Sequence, residues 1–214
     1  MDASLRISEI FYSLQGESNT VGLPTVFIRL TGCPLRCNYC DTAYAFTGGE
    51  KRSLQQILDQ VKTYSTSYIT VTGGEPLAQP ACIDLLLNLL DAGYQVSLET
   101  SGALDVSKVD SRVVKVMDLK TPSSQEMQRN LYGNIQYLTA QDQVKFVIAN
   151  EEDYQWSKQQ LSEHDLSGRC QVLFSPVMDV MPAKDLADKI LQDQLPVRFQ
   201  IQLHKYLWND ARGK

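Results

Sequence analysis

The stretch Gly32-Cys33-Pro34-Leu35-Arg36-Cys37-Asn38-Tyr39-Cys40-Asp41-Thr42 places three cysteines in a CxxxCxxC spacing. One tight loop with this spacing can direct all three thiols at a common point. Structural zinc sites usually have four ligands, and the two histidines, His164 and His204, lie far along the chain. An iron–sulfur cubane usually takes four cysteines, so three thiolates leave one iron able to bind another molecule. The loop therefore predicts a cluster with an open iron.

Two other interpretations of the cysteine loop stay open from these residues alone. The three cysteines could form a zinc site completed by a distant histidine or by water. Cys37 and Cys40 could form a redox-active dithiol, although Cys33 then has no role. The remaining cysteines, Cys82 and Cys170, lie in apolar stretches and are expected to be small buried side chains.

Composition indicates a soluble globular protein. The 214 residues suffice for one domain, residues 1–214, and the hydrophobic fraction of 43% is ordinary. The net charge of -5 argues against an extended nucleic-acid surface and favours a small-molecule partner. No run of about 18 apolar residues is available to span a membrane, and residues 1–6 do not resemble a signal peptide. We expect a cytoplasmic protein that binds neither nucleic acid nor membrane.

Short β-rich runs alternate with stretches of helical periodicity, which is the pattern of a parallel sheet built from about six βα repeats. The predicted strands are Val26 to Leu30, Tyr68 to Thr72, Gln95 to Glu99, Val113 to Asp118, Gln143 to Ile148, Gln171 to Phe174 and Val197 to Ile201. Predicted helices carry the apolar faces Leu54-Ile57-Leu58-Val61, Ile83-Leu86-Leu87-Leu90, Tyr154-Trp156-Leu161 and Leu186-Ile190-Leu191.

Candidate motifs follow the predicted strands. Right-handed crossovers place the carboxyl ends of parallel strands at one rim, where their loops can converge on a ligand. The motifs at these ends are the cysteine loop 32–42, Gly73-Gly74-Glu75-Pro76, Thr100-Ser101-Gly102, Lys120-Thr121-Pro122 and Ser175-Pro176. The polar stretch from Ser123 to Asn134 is predicted to be an irregular loop at the same rim.

The cysteine loop, with Tyr39 before its last cysteine, resembles the signature of the radical S-adenosylmethionine (SAM) superfamily. Residues 73–76 alone could be a strand-to-helix turn, but after that loop they resemble the superfamily's GGE motif. The resemblance implies a partial (βα)6 barrel of the TIM type, with a 4Fe-4S cluster on Cys33, Cys37 and Cys40. It also implies that the open iron chelates SAM, whose reductive cleavage gives a 5'-deoxyadenosyl radical, and that the GGE backbone and acid position the methionine amino group.

Longer matches over nearly the whole chain resemble the 7-carboxy-7-deazaguanine synthase family. They are Glu9 to Ser18, Gly22 to Arg29, Cys40-Asp41-Thr42, Leu98 to Gly102, Met117 to Pro122 and Gln202 to Lys205. This family contracts a ring of 6-carboxy-5,6,7,8-tetrahydropterin and releases ammonia, in the biosynthesis of queuosine and other 7-deazapurines. The resemblance implies that returned hydrogen regenerates SAM, and it implies a homodimer and an electron donor such as flavodoxin or ferredoxin.

The resemblance assigns substrate contacts to an N-terminal segment, residues 9–25, and to the first two predicted strands. The substrate residues are Leu14, Gln15, Gly16, Arg29 and Thr72, with Glu17, Glu99 and Ser101 as weaker candidates. A guanidinium at Arg29 suits the substrate carboxylate, because a bidentate contact is strong and directional. An ordinary surface salt bridge stays open for Arg29, as does a simple turn for residues 14–16.

Further assignments by resemblance concern metal and SAM. Thr42 is implied as a ligand of Mg2+, a hard cation that takes few protein ligands. The implied SAM contacts are Gly74, Asp118, Leu119, Lys120, Ser175, Pro176, Val177 and Met178. Several family members have Ser-Pro-Lys where this chain has Asp118-Leu119-Lys120, so Lys120 is the firmest of these three. His204 and Lys205 are expected to close the substrate pocket.

Two rival functions are consistent with parts of this pattern. A glycyl-radical activase also combines a CxxxCxxC loop with a GGEP-like turn in a small chain, but the Leu-Gln-Gly-Glu stretch at residues 14–17 disfavours it. A non-catalytic module that uses the cysteines as a structural metal site is the alternative from another class. Iron and sulfide analysis separates that module from a radical enzyme.

Overall fold

A nine-stranded sheet organises the chain in this computed structural model, which describes residues 3–209 and 211–214. The strands are β1 (Ser4–Leu14), β2 (Pro24–Leu30), β3 (Glu50–Ser53), β4 (Tyr68–Gly73), β5 (Gln95–Thr100), β6 (Val114–Asp118), β7 (Gln143–Ile148), β8 (Gln171–Pro176) and β9 (Arg198–Phe199). Met1, Asp2 and Asp210 lie outside the described residues, and the expectation that residues 1–6 are not a signal peptide stays a prediction.

The spatial strand order is β3-β1-β2-β4-β5-β6-β7-β8-β9. From β2 to β9 the neighbours pair in parallel, whereas β1 is antiparallel to both β2 and β3. The two edge strands, β3 and β9, do not pair with each other. The sheet is therefore an open, partial barrel, and the predicted α/β fold class is confirmed. The predicted domain boundaries 1–214 stay a prediction.

Helices cover the outer side of the sheet, except the last one, which lies at the rim formed by the carboxyl ends of the strands. They are α1 (Leu54–Val61), α2 (Cys82–Asp91), α3 (Glu151–Glu163), α4 (Leu166–Arg169), α5 (Ala183–Gln192) and α6 (Leu203–Trp208). Local sequence starts two of them: Ser53 forms a capping box with Gln56 before α1, and Asn150 accepts a hydrogen bond from the Asp153 amide before α3. The four predicted helical faces lie on α1, α2, α3 and α5. No helix in the described ranges is long and apolar enough to cross a membrane.

Two connections break the expected alternation of strand and helix. The chain from β5 to β6 contains no helix in the described residues, and the chain from β6 to β7 contains only short 3-10 turns at Pro122–Ser124, Met127–Arg129 and Tyr132–Tyr137. No helical face was predicted in either connection, so the chain has fewer complete βα units than the predicted count of about six repeats. The polar stretch 123–134 is irregular, as predicted, because its side chains hold turns instead of presenting an apolar face.

Two apolar clusters fill the space between sheet and helices. The first includes Ile28, Val71 and Leu98 with the inner faces of α1 and α2, and Cys82 is part of it. The second includes Phe146 and Phe174, whose rings meet edge to face at 5.6 Å, and Cys170. The expected burial of Cys82 and Cys170 is confirmed. Since alternate strand residues point to opposite faces, the intervening side chains line the concave face of the sheet.

Candidate functional site

A cavity of about 720 Å³ lies at the carboxyl ends of the parallel strands. Its volume is in the range of small-molecule sites. Most of the residues predicted for the site line it, namely Leu14, Gln15, Gly16, Arg29, Cys33, Cys37, Cys40, Thr42, Thr72, Gly74, Asp118, Lys120, Val177 and Met178. The weaker candidates Glu17, Glu99 and Ser101 and the expected pocket-closing residues His204 and Lys205 also line it. The rim predicted from the strand ends therefore exists as a single cavity.

The cysteine loop is braced by the turns that follow β6. The Asn38 amide donates to the carbonyl of Ser124 (3.2 Å), and the Tyr39 hydroxyl lies 3.1 Å from the Thr121 hydroxyl. Arg36 folds back so that Nη1 donates to the carbonyl of Cys33 (2.8 Å). Backbone and side-chain bonds thus fix the loop independently of a bound group, which reduces the conformational entropy lost when its thiols bind one.

All three cysteines line the cavity and are partly buried. Burial raises the pKa of Cys33 and Cys40, and it raises the pKa of Cys37 to about 11. No three His, Cys, Asp or Glu side chains in the described ranges are close enough to share one metal ion. A cubane binds each thiolate to a different iron, so its ligands stand further apart than those of zinc. The donor set therefore fits a 4Fe-4S cluster with one open iron.

Tight backbone packing joins the turn after β4 to the cysteine loop. The Glu75 amide donates to the carbonyl of Gly32 (2.7 Å). A Cβ on Gly74 would lie 2.2 Å from that carbonyl oxygen and 2.8 Å from Cys33 Cβ. Gly73 has φ +150, and a Cβ there would lie 2.2 Å from the Leu30 carbonyl oxygen. Both positions need glycine, as the predicted close approach of backbone requires.

The acidic residue of this turn does not face the cavity. Glu75 is fully buried, and its carboxylate accepts hydrogen bonds from the Thr100 hydroxyl (3.0 Å), the Ser101 amide (2.7 Å) and the Leu77 amide (3.0 Å). The expectation that this acid positions an amino group of a ligand is therefore corrected. Its carboxylate ties the β4 turn to the end of β5, because buried backbone amides there need acceptors.

Arg29 combines the two roles that the sequence left open. Its Nε donates to Glu9 Oε1 (2.7 Å), and the Tyr44 hydroxyl donates to the same oxygen (2.7 Å). The guanidinium also lies over the ring of Phe11, at 5.8 Å, and lines the cavity. Its terminal nitrogens make no hydrogen bond to the described residues. Arg29 is therefore an ion-paired side chain whose remaining donors are available to an anion in the cavity.

The N-terminal segment enters the cavity through its backbone. The Gln15 side chain is buried, and its Nε2 donates to the Thr70 hydroxyl (3.0 Å), away from the rim. The carbonyl of Gly16 accepts the Leu203 amide (3.0 Å) at the start of α6. A Cβ on Gly16 would lie 2.1 Å from Nδ1 of His204. Glycine at this position lets the histidine close over the segment.

Charged side chains cover the cavity floor. Lys145 Nζ lies 2.8 Å from Glu17 Oε2 and 3.8 Å from Asp118 Oδ2. Lys120 Nζ lies 2.9 Å from the same Asp118 oxygen. Glu99 Oε2 accepts a hydrogen bond from the Thr72 hydroxyl (2.8 Å). The floor is thus a polar network of alternating sign rather than an apolar pocket.

The C-terminal segment closes one side of the cavity. Gln202 Nε2 donates to Glu17 Oε1 and to Asp41 Oδ2, both at 3.0 Å. Lys205 Nζ forms an ion pair with the same Asp41 oxygen (3.1 Å), and the Thr42 hydroxyl donates to Asp41 Oδ1 (2.8 Å). The segment therefore connects the N-terminal segment to the cysteine loop.

Comparison with known proteins agrees with this geometry. Residues 27–120 match the model of the radical SAM superfamily. The 7-carboxy-7-deazaguanine synthase of Chlorobaculum tepidum is 44% identical, over 99% of this chain and 98% of its own. That of Koribacter versatilis is 37% identical, over 95% of this chain and 97% of its own. The crystal structure of QueE from Escherichia coli superposes with a TM-score of 0.80 at 21% identity, over 94% and 95% of the two chains.

The chain belongs to the 7-carboxy-7-deazaguanine synthase family. It is accordingly a radical SAM enzyme, whose class uses a 4Fe-4S cluster and SAM. The structural likeness, at 21% identity, supports the fold, while the family membership rests on the sequence identity over the whole chain.

Three residues that the resemblance to 7-carboxy-7-deazaguanine synthases assigned to SAM do not line the cavity. Leu119 is fully buried in the second apolar cluster, on the outer side of the sheet. Its neighbours Asp118 and Lys120 point inward to the cavity. Ser175 is buried beside Val147 on β7, and Pro176 is buried at the end of β8. Alternation along the chain explains the outward position of Leu119 and Pro176. Ser175 shares the face of Val147, which lines the cavity, but is itself buried there.

Several cavity residues of this 7-carboxy-7-deazaguanine synthase family member were not predicted from the sequence. Lys145 on β7, Asp41 in the cysteine loop and Gln202 before α6 were given no role. The available signal for Lys145 was the alternation of side chains along its strand. For Asp41 and Gln202 it was their position next to residues of a quoted motif. Only the register of β6 with β7 and the docking of the C-terminal segment bring these three residues to the same cavity.

Proposed function

We propose that this chain is a 7-carboxy-7-deazaguanine synthase that converts 6-carboxy-5,6,7,8-tetrahydropterin to 7-carboxy-7-deazaguanine and releases ammonia. One observation carries the proposal: a single cavity holds the three-cysteine loop beside Arg29 and a polar, charged floor. That combination suits a radical generator next to a flat polar substrate with one carboxylate.

The cofactor side of the cavity is formed by the cysteine loop and the ends of β4 and β6. Cys33, Cys37 and Cys40 would hold the 4Fe-4S cluster. Gly74 would offer backbone to SAM, with Asp118, Lys120, Val177 and Met178 as further contacts. When bound, the cluster and SAM supply the hydrogen-abstracting 5'-deoxyadenosyl radical. Leu119 and Pro176 would support this wall from behind, and Ser175 would pack within it beside Val147.

The substrate side uses Arg29 as its anion contact. The Glu9 carboxylate and the Phe11 and Tyr44 rings hold the guanidinium, so its terminal nitrogens are oriented before the substrate binds. A bidentate contact to the substrate carboxylate would direct the adjacent C6 hydrogen towards the radical. Thr72 and the backbone of residues 14–16 would contact the heterocycle from the floor and side.

A magnesium ion that Thr42 would help to hold, and that would offer positive charge to the substrate carboxylate, is part of the proposal. The Thr42 hydroxyl lines the cavity beside the Asp41 carboxylate, and such oxygen donors suit Mg2+. The family resemblance further supports a homodimer, a flavodoxin or ferredoxin as electron donor, and a cytoplasmic location. These three statements rest on the family and on no contact within this chain.

The test is an anaerobic assay with the reconstituted protein, reductant, SAM, Mg2+ and 6-carboxytetrahydropterin, in which product is followed by mass spectrometry. We expect 7-carboxy-7-deazaguanine, and its loss in Cys33→Ala. Arg29→Lys is expected to raise KM for the pterin at least tenfold while SAM cleavage persists, because Lys cannot form the bidentate contact. SAM cleavage without this product would reject the substrate, and zinc without iron and sulfide would reject the enzyme class.

A further inference from the structure

Three carboxyl groups and two lysines meet on the floor of the cavity. The carboxyl groups belong to Glu17, Glu99 and Asp118, and the lysines are Lys120 and Lys145. Lys120 pairs with Asp118 at 2.9 Å, and Lys145 pairs with Glu17 at 2.8 Å. Burying an ion costs several kcal/mol unless an opposite charge and hydrogen bonds compensate it. Glu17 and Asp118 therefore each have a compensating lysine, which sets them apart from Glu99.

Glu99 is the carboxyl group without a cationic partner within 4.0 Å in the described part of the chain. Its Oε2 accepts a hydrogen bond from the Thr72 hydroxyl (2.8 Å), which is a neutral donor. Arg29, on the strand next to Thr72, directs its Nε to Glu9 at 2.7 Å. Burial, followed by the charge of Glu17, raises the pKa of Glu99. Glu99 is thus the carboxyl group of the floor whose surroundings favour its protonated form.

Glu17 is in the opposite situation on the same floor. Lys145 lies 2.8 Å from Oε2, and Gln202 donates to Oε1 at 3.0 Å. Burial opposes ionisation, but the charge and hydrogen bond of Lys145 outweigh it and lower the pKa of Glu17. Two carboxyl groups in one site whose environments push their pKa values apart are the usual arrangement of an acid and a stabilising base.

We propose that Glu99 transfers the proton that accompanies ammonia loss, and that Lys145 is the positioning residue that fixes this role by holding Glu17 as a carboxylate. The inference rests on the proposed function. After ring contraction the expelled nitrogen is an amino group on the ring carbon; as this C–N bond breaks, its electron pair goes to nitrogen, which takes the Glu99 proton and leaves as ammonia. The carboxylate then accepts the proton of the adjacent C–H bond, whose electrons form the ring double bond. Glu99 ends protonated, and the balance is loss of one ammonia.

The charged groups around Glu99 come from four neighbouring elements. Arg29 faces it from β2, Lys145 from β7, Asp118 from β6 and Glu17 from the N-terminal segment. His204 on α6 approaches from the rim, and burial lowers its pKa, so it is neutral near pH 7. The charge of Lys145 interacts with all three carboxyl groups, Glu17, Asp118 and Glu99. Removing its charge should therefore alter the titration of the whole floor.

The first test uses Glu99→Gln, which keeps the size and the Thr72 contact of the side chain but cannot exchange a proton in the same way. Under single turnover, product formation should fall about 100-fold or more, the usual scale of general acid–base catalysis. Deuterium should still pass from C6 of the labelled pterin to 5'-deoxyadenosine. A species that is heavier than the product by one ammonia should accumulate. The wild type, run in parallel, separately tests the proposed function.

A binding role for Glu99 gives a different result. If Glu99→Gln raises KM for the pterin and leaves kcat unchanged, with no amine-retaining species, Glu99 only recognises the heterocycle and the proposal fails. Glu17→Gln is the matched carboxyl variant. It should raise KM and should not accumulate the intermediate, because the ion-paired carboxylate is assigned no proton transfer.

The second test compares Lys145→Met with Lys115→Met. Both lysines are ion-paired on the sheet, Lys145 partly buried and Lys115 buried, but Lys115 binds Asp142 on the outer side. The rate of ammonia release should fall as pH rises through the pKa of Glu99. This fall is the basic limb of the pH–rate profile. Loss of the nearby cation raises carboxyl pKa values, so the limb should move to higher pH in Lys145→Met. It should stay in place in Lys115→Met and be absent in Glu99→Gln.

Folding of each variant is checked by thermal unfolding, and rates are referred to the iron content. If Lys145→Met does not fold, Lys145→Arg replaces it; retained charge should leave the limb within a few tenths of a pH unit of the wild type. An unchanged limb in Lys145→Met, or a limb that persists in Glu99→Gln, overturns the assignment.

Discussion

Replacing Gly74 by alanine should disable the cofactor side of the cavity. The new Cβ would lie 2.2 Å from the Gly32 carbonyl oxygen, 2.7 Å from the Gly32 carbonyl carbon and 2.8 Å from Cys33 Cβ. Real Cβ atoms keep at least 3.0 Å from such neighbours. The cysteine loop must therefore move away by about 0.8 Å, and no flexible side-chain end is available to take up this change.

A shift of the cysteine loop in Gly74→Ala affects both stability and SAM cleavage, because the loop carries the three cysteines. The Gly32 carbonyl also accepts the Glu75 amide at 2.7 Å, so the shift weakens this bond. Overpacking of this kind costs about 1–3 kcal/mol of stability. A displacement of about 1 Å in a reacting geometry lowers rates about 100-fold. We expect SAM cleavage per cluster to fall by roughly that factor in Gly74→Ala.

The assay measures iron and sulfide per chain after anaerobic reconstitution, 5'-deoxyadenosine formation and the unfolding midpoint. Gly133→Ala is the matched control, because a Cβ at that position meets no atom within 4 Å and it should leave all three quantities unchanged. If Gly74→Ala takes up a full cluster and cleaves SAM at the wild-type rate, the close packing of this turn does not position the cysteine loop.

Three further outcomes are expected. Glu75→Gln should lower the free energy of unfolding by at least about 2 kcal/mol, because its buried charge-assisted bonds to the end of β5 are lost; urea denaturation measures this, with exposed Glu152→Gln as control. Gly16→Ala should displace the His204 ring, 2.1 Å from the new Cβ, and raise KM for the pterin at least tenfold without affecting cluster content. Because burial lowers the pKa of His204, docking of α6 should be complete at neutral pH and weaken as pH falls below the ordinary value of about 6.5, which amide exchange of residues 203–208 can detect.

The parallel strands were predictable because their local pattern and their tertiary role agree. Gln143–Ile148 has the predicted bounds, and the predicted Tyr68–Thr72 extends by one residue. The β1 strand escaped prediction because its register shifts between Ile7 and Glu9, where a bulge interrupts the alternation of side chains. The short strand β3 has exposed or partly exposed side chains and gives no apolar signal.

Site residues were predictable from the sequence where their role depends on neighbours within the same short motif. The cysteine spacing and the glycine turn are local, so sequence alone brought Cys33 and Gly74 to the cavity. Residues 118–120 and 175–178 were predicted as continuous contact segments, although side chains alternate between the two faces of a sheet. Leu119 shows the consequence, because it points to the outer core and not to the cavity. The role of Gln202 depends on a contact with Glu17, 185 positions away in sequence, which no local pattern contains.

Lys115 and Lys145 illustrate why a buried charge cannot be assigned from its neighbours in sequence. Val114-Lys115-Val116 and Val144-Lys145-Phe146 look alike, and both lysines have a carboxylate partner. On β7 the flanking residues Val144 and Phe146 fill the outer core, so Lys145 must face the cavity. On β6 it is Met117 that lies in the outer core and Val116 that lines the cavity, so Lys115 points outward to Asp142. Lysine therefore stabilises the fold on β6 and contributes charge to the cavity floor on β7. The difference arises because the residues that each strand places in the outer core decide which face its lysine occupies.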